Sequence, residues 1–167
     1  MTTRMTERLR GADKIRVLFV CLGNICRSPA AEGIMRAAVA KAGQSHRWLI
    51  DSAGTGDWHV GELPDERMRA HARRRGYDLT HRCRQITRRD FADFDLIVGM
   101  DDNNRRNLMR LAPDDASRDK IVMMADFFSP GAPVDNVPDP YYGGPEGFEL
   151  AIDLLEDATA GLIAALT

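Results

Sequence analysis

The sequence predicts an α/β fold, a single three-layer α/β/α domain built on a four-stranded parallel sheet. Three observations carry this. Four short apolar runs alternate with stretches of helical periodicity along the chain, the pattern of parallel strands joined by helices. The first run, Ile15-Arg16-Val17-Leu18-Phe19-Val20, is nearly all apolar, as a strand covered on both faces must be. The 167 residues, 44% of them hydrophobic, suffice for one full core and would be crowded for two.

Residues 1–13 are polar, mixed in charge and lack the apolar segment of a secretory signal. They are expected to be a flexible extension, frayed or left over from cloning, with the domain spanning 14–167. After the first strand, Ser28 reads as a helix cap and Pro29 as part of the first turn. Ile34, Met35, Ala38 and Val39 then recur at helical spacing, and Gly43 ends that helix. Trp48-Leu49-Ile50 is a second strand, running through Asp51 into the small residues of a loop, Ser52 to Gly56. Pro64-Asp65-Glu66 opens a helix with acidic residues at its positive end. Arg73-Arg74-Arg75-Gly76 closes it; the arginine run reads as a solvated helix end, or else as a contact for acidic substrate proteins. Thr87 and Asp90 resemble a weak capping box.

Asp95 to Met100 is a third strand. Asp101 or Asp102 caps a helix that reaches Leu111 and stops at Pro113, and Lys120 to Met124 is the fourth strand. A loop rich in Pro, Gly and Asp covers Ser129 to Gly147. The last helix is predicted from Phe148 to Leu166, with Leu154, Leu155, Ala158 and Leu162 among its core positions. Right-handed crossovers put the C-terminal ends of all strands on one edge, where ligands bind.

Bulk composition narrows the function. A net charge of -2 supplies no basic field for nucleic acid. No stretch approaches the roughly 20 apolar residues of a membrane span. Cys21, Cys26 and Cys83 form no paired framework, so a reducing, cytoplasmic compartment is expected.

The chemistry concentrates where the first strand ends, in Cys21-Leu22-Gly23-Asn24-Ile25-Cys26-Arg27-Ser28. A thiol attacks only as the thiolate, which loop amides, a helix N-terminus and Arg27 all favour. The same groups favour a bound phosphate, and the Arg27 fork matches two of its oxygens better than Lys would. Gly23 permits a tight loop, Asn24 tolerates a left-handed backbone, and Ser28 can donate to the thiolate. No Gly-Lys-[Ser/Thr] follows, so this is not a nucleotide-binding P-loop. Cys21 and Cys26 lack the second ligand pair of a metal site, and neither metal nor cofactor is called for. Asp139, between Pro138 and Pro140, is either a turn residue or a proton donor on a stiffened loop. Asp101 reads equally well as a helix cap and nothing more, and His81 taken alone is an ordinary surface or helix-start histidine.

Cys21 to Pro29 resembles the signature loop of low-molecular-weight protein tyrosine phosphatases. Asp51-Ser52-Ala53-Gly54-Thr55 with Trp58 and Gly61, His81 with Arg84-Gln85-Ile86, Met100-Asp101 with Asn104, and Asp139-Pro140-Tyr141-Tyr142 resemble further blocks, in family order. The wording around Ser52 to Gly61 is similar to bacterial members in particular. The resemblance implies a flavodoxin-like strand order, 2-1-3-4, and metal-independent hydrolysis of phosphotyrosine through a phosphocysteine. It implies that Cys21 is the nucleophile, Arg27 the phosphate clamp and Asp139 the general acid and then base. Asn24, Ser28, Ser52 and His81 would form a hydrogen-bond network behind the loop. Leu22, Gly23, Ile25, Cys26, Trp58, Tyr141 and Tyr142 would line the phosphotyrosine slot. Cys26 would also trap oxidised Cys21 as a disulfide, though a small buried side chain is the other reading; Cys83 lies in no motif and is expected to be inert.

A phosphotyrosine protein is the implied partner, and the chain is expected to act as a monomer, with weak dimerisation the alternative. Rival readings on the same scaffold are arsenate reductases, which need further cysteines after the third strand where Val98 to Leu111 has none, and protein-arginine phosphatases, which carry Thr where Ile25 stands. A non-catalytic phosphoprotein-binding module is the rival of another class.

Overall fold

The computed structural model describes residues 3–167. In place of the expected flexible extension, Thr3–Arg10 form a helix, α1. Met5 and Leu9, one turn apart, are both 5% exposed in the core, and the Arg47 side chain donates to the carbonyls of Leu9, Arg10 and Ala12 at the helix end. Residues 1 and 2 lie outside the described residues.

Strand β1 (Ile15–Cys21) leads through the signature loop into α2 (Arg27–Lys41). Then follow β2 (Trp48–Gly54), α3 (Glu66–Arg74), α4 (Asp90–Asp93), β3 (Leu96–Gly99) and α5 (Asp102–Leu111). A short α6 (Asp115–Arg118), β4 (Ile121–Met123) and the long α7 (Pro145–Leu166) complete the chain. The sheet is four-stranded and parallel, in the order β2-β1-β3-β4. The α/β sandwich predicted from the alternating pattern is therefore present, with the predicted order.

Side-chain alternation along β1 builds the two cores. Ile15, Val17 and Phe19 join residues of α1, α2, α3 and α7 on one face, whereas Leu18 and Val20 meet Phe91 of α4, Phe94 just after it and Leu108 of α5 on the other. Helix α7 starts three residues before the predicted position, because Gly144 precedes Pro145, whose missing N–H costs nothing at a first turn. Gly161 lets it touch the turn at Met124–Phe127: a Cβ there would lie 2.1 Å from the Phe127 carbonyl oxygen. Among the described residues no helix is long and apolar enough to cross a membrane.

Registers fix the working edge. Cys21 pairs with Gly54 and Val20 with Gly99, so β1, β2 and β3 all end at one level. The loop before α7 is tied there too, since the buried Val137 donates its N–H to the Met100 carbonyl at 3.0 Å.

Candidate active site

Helix α2 begins at Arg27, two residues before Pro29, and Ser28 is not its cap. The Ser28 hydroxyl lies inside the loop instead, with Oγ 3.0 Å from Cys21 Sγ and accepting from Asn24 Nδ2 at 2.8 Å. The loop's carbonyls are engaged outward: those of Cys21, Leu22 and Ile25 accept from the amides of Thr55, Gly56 and Asp65. Its amides are thereby left for an anion, as in other loops that precede a helix N-terminus.

Asn24 is the hinge of this loop. It is fully buried, and at φ 58° it is the one non-glycine residue in the left-handed region among those described. Five contacts hold it. Nδ2 donates to Ser28 Oγ and, at 3.0 Å, to Ser52 Oγ. Oδ1 accepts from the Arg84 amide at 2.9 Å and faces His81 Nε2 at 3.0 Å. The main-chain oxygen accepts from the Cys83 thiol at 2.8 Å. Gly54 makes room for the loop, because a Cβ there would stand 2.8 Å from the Leu22 oxygen and 3.0 Å from the Asn24 nitrogen. Gly23, expected to supply the tight turn, has no positive φ; its lack of a side chain leaves space for His59, whose ring would sit 3.3 Å from an added Cβ.

Behind this layer, Ser52 Oγ donates to Glu32 Oε1 at 2.7 Å, and His81 Nδ1 lies 3.3 Å from Glu32 and 3.5 Å from Asp51. Glu32, Asp51 and His81 are close enough to hold a metal ion. Their donor atoms are already engaged, however: Glu32 by Arg36 and Ser52, Asp51 by Arg84, His81 by Asn24. The cluster thus reads as support for the loop. His81, Ser52, Ser28 and Asn24 are brought together as expected.

Arg27 is 2% exposed. Nη1 donates to Asp101 Oδ2 at 2.6 Å and to the Val137 carbonyl at 3.0 Å, and Nη2 is 3.7 Å from Asp139 Oδ2. Burial pulls its pKa down, but the Cys21 sulfur, then Asp101 and Asp139, push the other way and win, so the group stays charged. Asp101 is both the predicted cap of α5, closing a capping box with Asn104, and the partner of the clamp. Asp139 is one-third exposed, and its Oδ1 accepts from the Tyr141 amide at 3.1 Å.

Above the loop is a cleft of about 410 Å³ whose lining brings together Cys21, Leu22, Gly23, Ile25, Cys26, Arg27, Trp58, Asp139, Tyr141 and Tyr142, with His59 added. The two tyrosines pack edge to face at 5.0 Å, and Arg67 holds Tyr141 from below, donating to its carbonyl at 3.0 Å with the guanidinium over the ring. Trp58 and Tyr142 are 67% and 90% exposed, so the outer walls are free to close on a ring. Burial, with Asp65 and Cys21 next in weight, pushes the Cys26 thiol far up. Burial and then Cys21 push Cys83 up to about 11.

The Cys83 thiol, expected to be inert, is buried and pushed up, and it also bonds the loop. The arginine run is only partly solvated: Arg73 and Arg74 are exposed, but Arg75 bonds Glu149, Asp153 and Glu156 of α7. Glu32 was not singled out from the sequence, and Asp101 and Arg84 were named there without the contacts they make to Arg27 and to Asn24. Glu32 carried a signal, a charge one helical turn after Ser28 in an apolar helix.

A thiol, a caged guanidinium and a carboxylate around one main-chain anion cradle define the class, an α/β domain equipped for phosphate-ester chemistry. The family model "Low molecular weight phosphotyrosine protein phosphatase" matches residues 16–167. A low molecular weight protein-tyrosine-phosphatase of Streptomyces coelicolor is 47% identical over 90% of this chain and 93% of its own. A low molecular weight phosphotyrosine protein phosphatase of Schizosaccharomyces pombe is 48% identical over 80% and 85%. The crystal structure of a protein tyrosine phosphatase from Entamoeba histolytica, with Hepes in the active site, superposes with a TM-score of 0.88 at 42% identity, covering 92% of this chain and 97% of that one. The chain belongs to the low molecular weight phosphotyrosine protein phosphatase family, and its activity is that of a protein-tyrosine-phosphatase.

Proposed function

We propose that this chain hydrolyses phosphotyrosine in proteins in two displacements, with Cys21, Arg27 and Asp139 in the working roles. The Cys21 thiolate attacks phosphorus in line as the bond from phosphorus to the phenolic oxygen breaks, and Asp139 gives that oxygen its proton. Water then attacks the phosphocysteine, Asp139 takes its proton, and the sulfur leaves as thiolate. Arg27 and the loop amides hold the three equatorial oxygens throughout. The observation that carries this reading is the meeting of Cys21, Arg27 and Asp139 in one cleft, with Arg27 buried and pre-aimed by Asp101. Ile25 on the cleft wall favours an aryl ring over phosphoarginine, on the family pattern noted above.

Residues 14–167 would act as one catalytic domain with α1 docked on it. Every group the reaction uses comes from one chain, which suits a monomer, and three free cysteines suit a reducing cytoplasm. Rapid quench of an aryl phosphate reaction in the presence of EDTA, followed by mass spectrometry, tests the reading. It should find phosphate on Cys21; its absence while phosphate is released would overturn the covalent route, and binding without release would leave only a phosphoprotein-binding module.

A further inference from the structure

The catalytic cleft does not end at its own wall. Leu22 and Trp58 also border a neighbouring groove of about 430 Å³, floored by Gln85, Asn107 and Arg110. Arg110 in turn borders a third depression of about 560 Å³, between Arg105, Arg106 and Arg118. Shared residues thus make one continuous track from Cys21 across Trp58 to the outer face of α5.

The charge on that track is unusual for this chain. Elsewhere arginines clamp carboxylates, as Arg75 does on α7 and Arg84 on Asp51 and Asp90. Along the track Arg106 donates to Asn103 Oδ1 at 2.8 Å, Arg110 to Asn107 Oδ1 at 3.3 Å and Arg118 Nε to the Met109 carbonyl at 3.4 Å. Neutral oxygens orient Arg106 and Arg110 and leave their charge unpaired, while Arg118 is shared with a carboxylate. The carboxylate bonded among them is Asp115, on Arg118, and its side chain is 98% exposed. All four arginines are exposed, on a protein whose net charge is -2.

We propose that this track docks an acidic segment of the same phosphotyrosine protein whose phosphate occupies the Cys21 cleft; this rests on the phosphatase reading above. Two features select that occupant. The groove opens from the catalytic cleft itself, so the polypeptide leaving the phosphotyrosine is delivered into it over the exposed Trp58. The charge is a local strip on an acidic molecule, which suits a short run of carboxylates; a long polyanion would meet the repulsion of the whole. Guanidinium forks bind carboxylates two bonds at a time, and Trp and Arg are the side chains that carry interface affinity. Three adjoining compartments of these volumes span on the order of 20 Å, which an extended chain crosses in about six residues. The acidic residues therefore lie roughly six positions from the phosphotyrosine.

Phosphotyrosine peptides with Glu or with Gln about six positions away, on either side, test this. The acidic peptide should have a KM about tenfold lower, the worth of two exposed ion pairs, and the advantage should vanish in about 1 M salt, where screening reaches about 3 Å. The Arg105→Glu/Arg110→Glu variant should lose that advantage while hydrolysing p-nitrophenyl phosphate and the Gln peptide as before. Equal KM values for the two peptides on wild type, or an undiminished advantage in the variant, would overturn the proposal. So would binding of a short RNA duplex or phosphatidylserine vesicles through these arginines without any peptide preference. Titrating both peptides into the Cys21→Ser variant reads the preference as binding alone, so a failure of the track is distinct from a failure of the chemistry.

Discussion

Asp101 is one carboxylate with two tasks, and they can be separated. Oδ2 takes the Arg27 guanidinium at 2.6 Å, and Oδ1 takes the Asn104 amide at 2.9 Å as the cap of α5. Asp101→Ser keeps a cap and cannot reach Arg27, whereas Asp101→Ala loses both. A hydrogen bond between charged groups contributes about 1.5–3 kcal/mol, and the Asp101 side chain is 27% exposed, so the lower half of that range applies. A cap contributes about 1 kcal/mol. Urea unfolding should therefore show Asp101→Ser down by about 2 kcal/mol and Asp101→Ala by about 3 kcal/mol. Activity should divide differently. Both variants release the same guanidinium, so kcat/KM for an aryl phosphate should fall by the same factor in both, about tenfold to hundredfold. A serine variant with near-normal kcat/KM, or one no more stable than the alanine variant, would refute this division of labour.

The other predictions rest on separate contacts. Asp139→Asn should slow esters of poor leaving groups by about a hundredfold or more and activated aryl esters by less than about tenfold; equal slowing would remove Asp139 from the proton transfers. Iodoacetamide at neutral pH should label Cys21, with phosphate protecting it, and leave Cys26 and Cys83 unmodified, because burial raises both of those thiols; mass spectrometry reads the order. Cys83 also sets an alkaline limb. An unfolded thiol titrates near 8.5, whereas folded Cys83 keeps its proton to about 11, so the unfolded state binds fewer protons between these values and stability falls as pH rises through them. Cys83→Ala should flatten that limb in urea titrations, and an unchanged slope would contradict the assignment. Arg75→Ala, which frees three carboxylates of α7, should cost about 1–2 kcal/mol, against less than about 0.5 kcal/mol for the exposed Arg73→Ala.

What the sequence revealed follows the reach of each interaction. β1 and the loop after it were legible because strand, thiol, left-handed Asn24 and Arg27 are contiguous and each residue type has a local physical reason. The places of β3 and α5 were equally accessible from an apolar run and an aspartate cap, whereas the strand order came only with the family resemblance. Helix α1 was not, since Met5 and Leu9 are its apolar anchors in an otherwise polar stretch. The rest was hidden by distance along the chain. Arg27 meets Asp101 across 74 positions, Cys83 meets Asn24 across 59, and Arg75 meets Glu149 across 74. No local pattern distinguishes these partners from ordinary caps, buried thiols or solvated arginines.

The scaffold grips the loop where the backbone is least comfortable. A left-handed residue other than glycine costs about 1–2 kcal/mol, and Asn lessens this with its own side-chain bonds. Asn24 is locked from three directions, by Ser28 on α2, Ser52 on β2 and the segment from His81 to Arg84. That segment is itself fastened to β2, because Gly54 donates to the Arg84 carbonyl and accepts from the Ile86 amide, both at 2.8 Å. Gly54 therefore has two roles: it opens the space into which the loop folds and anchors the strip that holds the loop down. With residue 24 fixed, the peptides on either side cannot rotate, and amides that cannot rotate need no reorganisation when charge develops on a bound phosphoryl group. His81, Cys83 and Arg84 hold that geometry in place from outside the cleft, since none of them is among its lining residues.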